Sequence, residues 1–156
     1  MNIKLSDHFH LYEAERSNIA IKENINNICP EDLYPSLRAV AEKILEPIRN
    51  YFKIPFSPTS WYRSEELNSR VGGSKTSKHL LGEAVDIVLP GVSSYDIAKF
   101  ISNNLIFDQL ILEHYNPEHR GSGWVHASYS ILDNRGQVLR ADKNKDGKTE
   151  YKGIVL

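Results

Sequence analysis

An aspartate stands inside the run Ala84-Val85-Asp86-Ile87-Val88-Leu89-Pro90, where every neighbour is small or apolar. The run reads as a largely buried strand. Alternation sets Asp86 with Ala84 and Val88 on one face and Val85, Ile87 and Leu89 on the other. An unpaired carboxylate in such a place would sooner take up a proton than stay charged. Asp86 therefore calls for a cation beside it: an arginine, a lysine or a metal ion. Few other residues in the chain constrain the fold as tightly.

The same oddity recurs in residues 124–132, WVHASYSIL, where Trp124, His126 and Ser128 share one face and Val125, Ala127 and Tyr129 the other. A third polar residue, His79, precedes Asp86 by one turn-forming segment, and Gly82 between them lets the histidine fold back beside the aspartate. Two imidazoles and one carboxylate, with a fourth position left for water, make a three-ligand catalytic zinc site. Imidazole and carboxylate without thiolate suit zinc better than an iron–sulfur cluster or calcium. Ordinary readings stay open for each residue alone. A buried Asp is commonly paired with Arg, and Arg63 is available; a histidine on an apolar strand is commonly hydrogen-bonded within the core. A metal accounts for all three at once.

The surrounding pattern predicts what carries these residues. Leu33, Leu37, Val40, Ala41, Ile44, Leu45, Ile48 and Phe52 recur at helical spacing, with Pro35 in the first turn and Pro47 placed to kink or split the helix. A short helix is expected within 9–16 behind Ser6-Asp7, another after Ser64, and a third after Ser93, whose partner Asp96 completes a capping box. The segment 71–79, VGGSKTSKH, reads as a loop. Strands are expected at 84–89, 107–112, 123–131, 138–139 and 149–155. Helices mostly first and strands mostly later give an α+β fold, a small antiparallel β-sheet backed by helices. At 156 residues the chain suits a single domain, 1–156, with residues 1–30 as a helical extension packed on it.

Nineteen Lys+Arg against twenty Asp+Glu leave a net charge of -1, which argues against nucleic acid as a partner. No apolar run approaches the roughly 18 residues of a membrane helix, so no membrane partner is expected. The lone Cys29 offers neither a disulfide nor a thiolate metal cluster. Acids and histidines stand where a signal peptide would be apolar, so cytoplasmic synthesis is expected, with delivery by another route. Asp142, Asn144, Asp146 and Gly147 mimic the start of a calcium loop, but Gly153 stands where the bidentate Glu is required, and a hairpin turn is the simpler reading.

The segment Ser77-Lys78-His79-Leu80-Leu81-Gly82-Glu83-Ala84-Val85-Asp86 resembles the S-x-H-x-x-G-x-A-x-D signature of the zinc D-Ala-D-Ala carboxypeptidase family of peptidoglycan peptidases. Trp124-Val125-His126 resembles that family's second ligand segment. The opening LSDHF, the SWYRSEELNSRVGGSKTSKH run, FDQLILE and GWVHASY extend the likeness over nearly the whole chain, to the short phage and bacterial branch with the fold shared by hedgehog signalling domains.

The resemblance implies one zinc held by His79, Asp86 and His126, a substrate carboxylate bound by Arg63, and Ser77 lining the same pocket. Peptidoglycan stem peptides would be the substrate and a monomer the working form, acting on the cell wall after phage lysis or from a virion. For Ser77, a hydroxyl serving its own loop backbone is an equally simple role. One departure stands out. Where many members carry a general base three residues before the last histidine, this chain has Gly123. In the branch it resembles, a glutamate ending the preceding strand faces the metal, and Glu113 at the end of QLILE matches that place. The insert 114–123 separates it from His126, and Glu118, His114 and His119 within the insert are runners-up, each more simply a solvated loop residue. The alternative reading is a catalytically inactive zinc-containing module that binds cell wall or serves in a virion.

Overall fold

The computed structural model describes residues 2–156. Residues Leu5, Phe9, Leu11 and Ala14 are buried in the main core, so the first segment is packed down by its apolar side chains. Helix α1 (Leu11–Glu15) is capped differently from expectation. The His10 N–H donates to Glu13 Oε2 at 2.8 Å, while Ser6 donates its hydroxyl to Glu46. Helix α2 (Asn18–Glu23), which no apolar periodicity announces, begins at Ser17, whose Oγ accepts the Ala20 N–H.

The central helical rod runs through α3 (Tyr34–Val40), a π-helical turn (Ala41–Leu45) and α4 (Glu46–Phe52). Pro47 explains the widened turn. It has no N–H for the Lys43 carbonyl, and the backbone shifts register so that the Glu46 N–H reaches the Ala41 carbonyl instead. The rod is neither split nor broken, and Leu37, Val40, Ala41, Ile44, Leu45 and Ile48 are fully buried along it.

Helix α5 (Glu65–Arg70) is capped by Ser64 and α6 (Ser94–Asn104) by Ser93, as their sequences predict. Among the described residues the sheet has five strands, β1 (Ala84–Ile87), β2 (Gln109–Glu113), β3 (Trp124–Ser128), β4 (Gln137–Lys143) and β5 (Thr149–Gly153), in the order β1-β3-β2-β4-β5. The class is α+β, but the sheet is mixed rather than wholly antiparallel: β2 and β4 run parallel. Connectivity is the reason. β3 returns to the start of β2, and residues 129–136 cross past that end, so β4 sets out in the direction of β2. Asp108 staples the crossing, accepting from Arg135 Nε at 2.9 Å, Nη2 at 3.0 Å and backbone N–H at 3.1 Å. β4 and β5 form the expected hairpin, where Asn144 Oδ1 accepts the Asp146 and Lys148 N–H groups.

Register divides the sheet into two faces. Val85, Ile87, Leu110, Leu112, Val125 and Ala127 point into the core, where α6 lies against β2 and β3. Two rows on the other face carry the polar residues. One is Asp86, His126, Ile111, Leu139 and Gly153; the next is Trp124, Glu113, Ala141 and Tyr151. Among the described residues no helix is long and apolar enough to cross a membrane.

Candidate active site

Three neighbouring elements deliver the polar residues. Asp86 and His126 are direct partners across β1 and β3, so their side chains leave the sheet side by side. His79 comes from a 3₁₀ turn (Lys78–Leu81) that closes the segment expected to be loop throughout. Ser77 caps that turn, its Oγ accepting the His79 N–H at 3.3 Å, and thus serves its local backbone. Gly82 ends it at φ +67°, and a Cβ there would lie 2.8 Å from Leu37 Cδ2, so the turn back towards Asp86 requires glycine.

Ligand atoms of His79, Asp86 and His126 lie within 4.8 Å of one another, and the three can hold a metal ion. Asp86 Oδ1 stands 3.1 Å from His126 Nδ1 and 3.4 Å from His79 Nε2. His79 Nδ1 lies 2.6 Å from the Trp61 carbonyl oxygen, which can only accept, so that nitrogen carries the proton. His79 Nε2 is then a bare lone pair facing the Asp86 oxygen, another lone pair. Only a cation resolves that opposition. A proton is disfavoured because burial lowers the His79 pKa, against the pull of Asp86, with His126 and Arg63 adding to the lowering. The donor set therefore fits a metal ion, and its nitrogen–oxygen composition fits zinc.

Arg63 plays a part beyond the one the family likeness implies. Its Nη2 donates to Asp86 Oδ2 at 3.2 Å and its Nε to Ser60 Oγ at 3.1 Å. Both the ordinary reading, an Arg–Asp pair, and the metal reading thus meet in one carboxylate. Burial alone would raise the Asp86 pKa; the neighbouring His79 and His126 outweigh it and hold the carboxyl below its usual range. Arg63 also lines the groove in front of the cluster.

That groove, about 910 Å³, is lined by Arg63, Ser77, His79, Asp86, Glu113 and His126, among others. Glu113 sits one row from His126 on the same face, opposite Trp124. Burial pushes its pKa up; His126 and Arg63 oppose the shift and Asp86 adds to it. The insert 114–123 does not lengthen the path as its sequence suggests, because it folds back on itself and leaves Glu113 and Trp124 directly paired. His114, Glu118 and His119 do not line the groove, and the His114 ring packs at a tilt of 54° against Trp124, centroids 5.2 Å apart. Gly123 has φ +70°, and a Cβ there would stand 2.2 Å from the Glu113 carbonyl oxygen. No side chain, acidic or otherwise, fits at that position. Cys29 is no rival nucleophile: burial, with Glu15 and Asp32, pushes its thiol up to about 12.

The sequence gives no sign of the Trp61 carbonyl, which fixes the His79 tautomer, or of Tyr151, which stands beyond Ala141 in the row of Glu113. A backbone acceptor leaves no trace in residue identity. Trp124 was legible as a face partner of His126, but Tyr151 depends on strand pairings that no local pattern encodes. Against known families, residues 7–126 match the family model described as Peptidase M15. No curated protein matches the chain.

Proposed function

We propose that this chain, which belongs to the peptidase M15 family, is a zinc-dependent peptidase that hydrolyses the peptide stems of bacterial peptidoglycan, as a D-Ala-D-Ala carboxypeptidase or an endolysin-type endopeptidase. The observation that carries the reading is the convergence of His79 Nε2, Asp86 Oδ1 and His126 Nδ1 in a groove that Glu113 also lines. Those three atoms would hold the zinc. Bound there, zinc supplies a Lewis acid for the scissile carbonyl and lowers the pKa of a water to about 7.

The remaining work belongs to the protein. Glu113, held above the usual carboxylate pKa by burial, takes a proton from the attacking water and returns it to the leaving amine. Arg63 steadies Asp86 through Nη2 and offers its other N–H groups to a substrate carboxylate, which sets the register of the peptide. The Trp61 carbonyl keeps the His79 ring in its ligating tautomer. Glu113 stands against the inactive-module reading, since it supplies on β2 the acid that position 123 cannot carry.

Mass spectrometry of purified peptidoglycan tests this. Zinc-replete protein releases new stem fragments whose masses name the bond; a chelated control and Glu113→Gln do not, the latter losing about 10²–10⁴-fold in turnover while keeping its metal. No fragments from zinc-replete wild type would reject the peptidase and leave the binding module.

A further inference from the structure

The match to the family ends at His126, before β4 and β5 begin. Yet the sheet continues past the metal-ligand set on the same face. Ile111 and Leu139 follow His126 along its row, and Gly153 ends it without a side chain. In the adjoining row Ala141, fully buried, separates Glu113 from Tyr151. Strands lie about 4.8 Å apart, so Glu113 and Tyr151, two strands removed, are separated by about 10 Å at the backbone. Ala141 between them is covered, while Glu113, Ile111, Leu139 and Tyr151 all line the groove, so its open floor on this side is Ile111 and Leu139 in the adjoining row. Tyr151 lines the groove and is 56% exposed.

We propose that the β4–β5 hairpin is the far wall of the catalytic groove and that the Tyr151 phenol hydrogen-bonds the main chain of the bound peptide across the Ile111–Leu139 floor. The inference rests on the peptidase reading and deepens it by naming a substrate-contacting residue and a subsite. The floor is apolar, which fits a residue with an apolar side chain beside the scissile bond. The phenol is suited to donate. Burial and the nearby Glu113 charge push its pKa above the usual value, so it keeps its proton at neutral pH. Its O–H meets a substrate carbonyl from the side opposite Glu113, and the peptide is held between a base and a donor.

The test uses the full chain with zinc and disaccharide-pentapeptide muropeptides as the probe. Tyr151→Phe, which removes only the hydroxyl, lowers kcat/KM about tenfold or more, with zinc content and unfolding midpoint unchanged. Lys152→Ala, on the opposite face of β5 in register with Arg140, has no such effect. Calorimetry in a Glu113→Gln background gives a readout independent of turnover, in which adding Tyr151→Phe weakens muropeptide binding. Unchanged kcat/KM and unchanged binding in Tyr151→Phe would overturn the role of the hairpin and leave the peptidase reading standing. A wild-type chain that neither cuts nor binds the muropeptide would overturn both.

Discussion

Asp86 and Asp108 are both buried aspartates at the sheet, both touched by an arginine, and both held below the usual carboxylate pKa. Their surroundings differ in one respect that decides their roles. Asp108 receives three donors from Arg135 alone, two from the guanidinium and one from the backbone, and those hydrogen bonds are the main cause of its lowered pKa. Its needs are met within the fold. Asp86 has a single guanidinium contact on Oδ2, while Oδ1 faces two imidazole nitrogens, one of them a lone pair. A buried carboxylate with its donors complete is a staple. One left facing a lone pair is suited to bind a cation.

Substituting the two aspartates separates these roles most sharply. Asp86→Asn loses zinc by elemental analysis and activity falls to background, because a neutral amide is a poor third ligand. Asp108→Asn keeps zinc but loses about 1–3 kcal/mol of stability in urea denaturation, since Arg135 forfeits charge-assisted bonds yet, being half exposed, can rehydrate. Equal zinc loss in the two variants would erase the distinction.

A smaller effect is expected at Gly123. Replacing it with Ala forces a left-handed backbone angle on a residue with a Cβ, costing about 1–3 kcal/mol, and drives that Cβ against the Glu113 carbonyl. Turnover falls as Glu113 is displaced, and Gly123→Glu does not restore activity to Glu113→Gln. Restoration would show that position 123 can hold a base after all.

The subtlest contrast lies in pH dependence. The Glu113 pKa is raised on folding, so the folded protein binds that proton more tightly than the unfolded chain. Its contribution to stability therefore declines as pH rises from the ordinary carboxylate value through the raised one. The Asp108 pKa is lowered, so its contribution is present above the ordinary value and is lost as pH falls through the folded one. Metal-free Glu113→Gln is thus more stable than wild type at pH 7, with the gain shrinking on acidification, and Asp108→Asn shows its deficit at pH 7 and loses it in acid. Urea midpoints across pH check both. Activity, needing ionised Glu113, falls as pH drops through its raised pKa.

The cluster of His79, Asp86 and His126 is legible in the sequence because its signals are local. The cost of burying a charge shows in the composition around Asp86, alternation assigns faces to Trp124, His126 and Glu113, and Gly82 announces the turn at His79. Glu113 is placed by the family resemblance, as the acid that ends the strand before His126. What stayed hidden depends on pairings between distant segments. The parallel β2–β4 pair follows from the crossing at 129–136, and only that pair brings Tyr151 into the row of Glu113. Asp108 and Arg135 each look like surface charges beside a strand and a turn, and nothing near either predicts the other. Arg63 could be read as the partner of Asp86 or of a substrate; the structure places it on Asp86 with donors to spare.

The most direct measurement is the zinc content of purified variants after dialysis against buffer. One zinc per chain is expected in wild type and in Glu113→Gln, and none in His79→Ala or His126→Ala. Stoichiometric zinc retained by His126→Ala would contradict this.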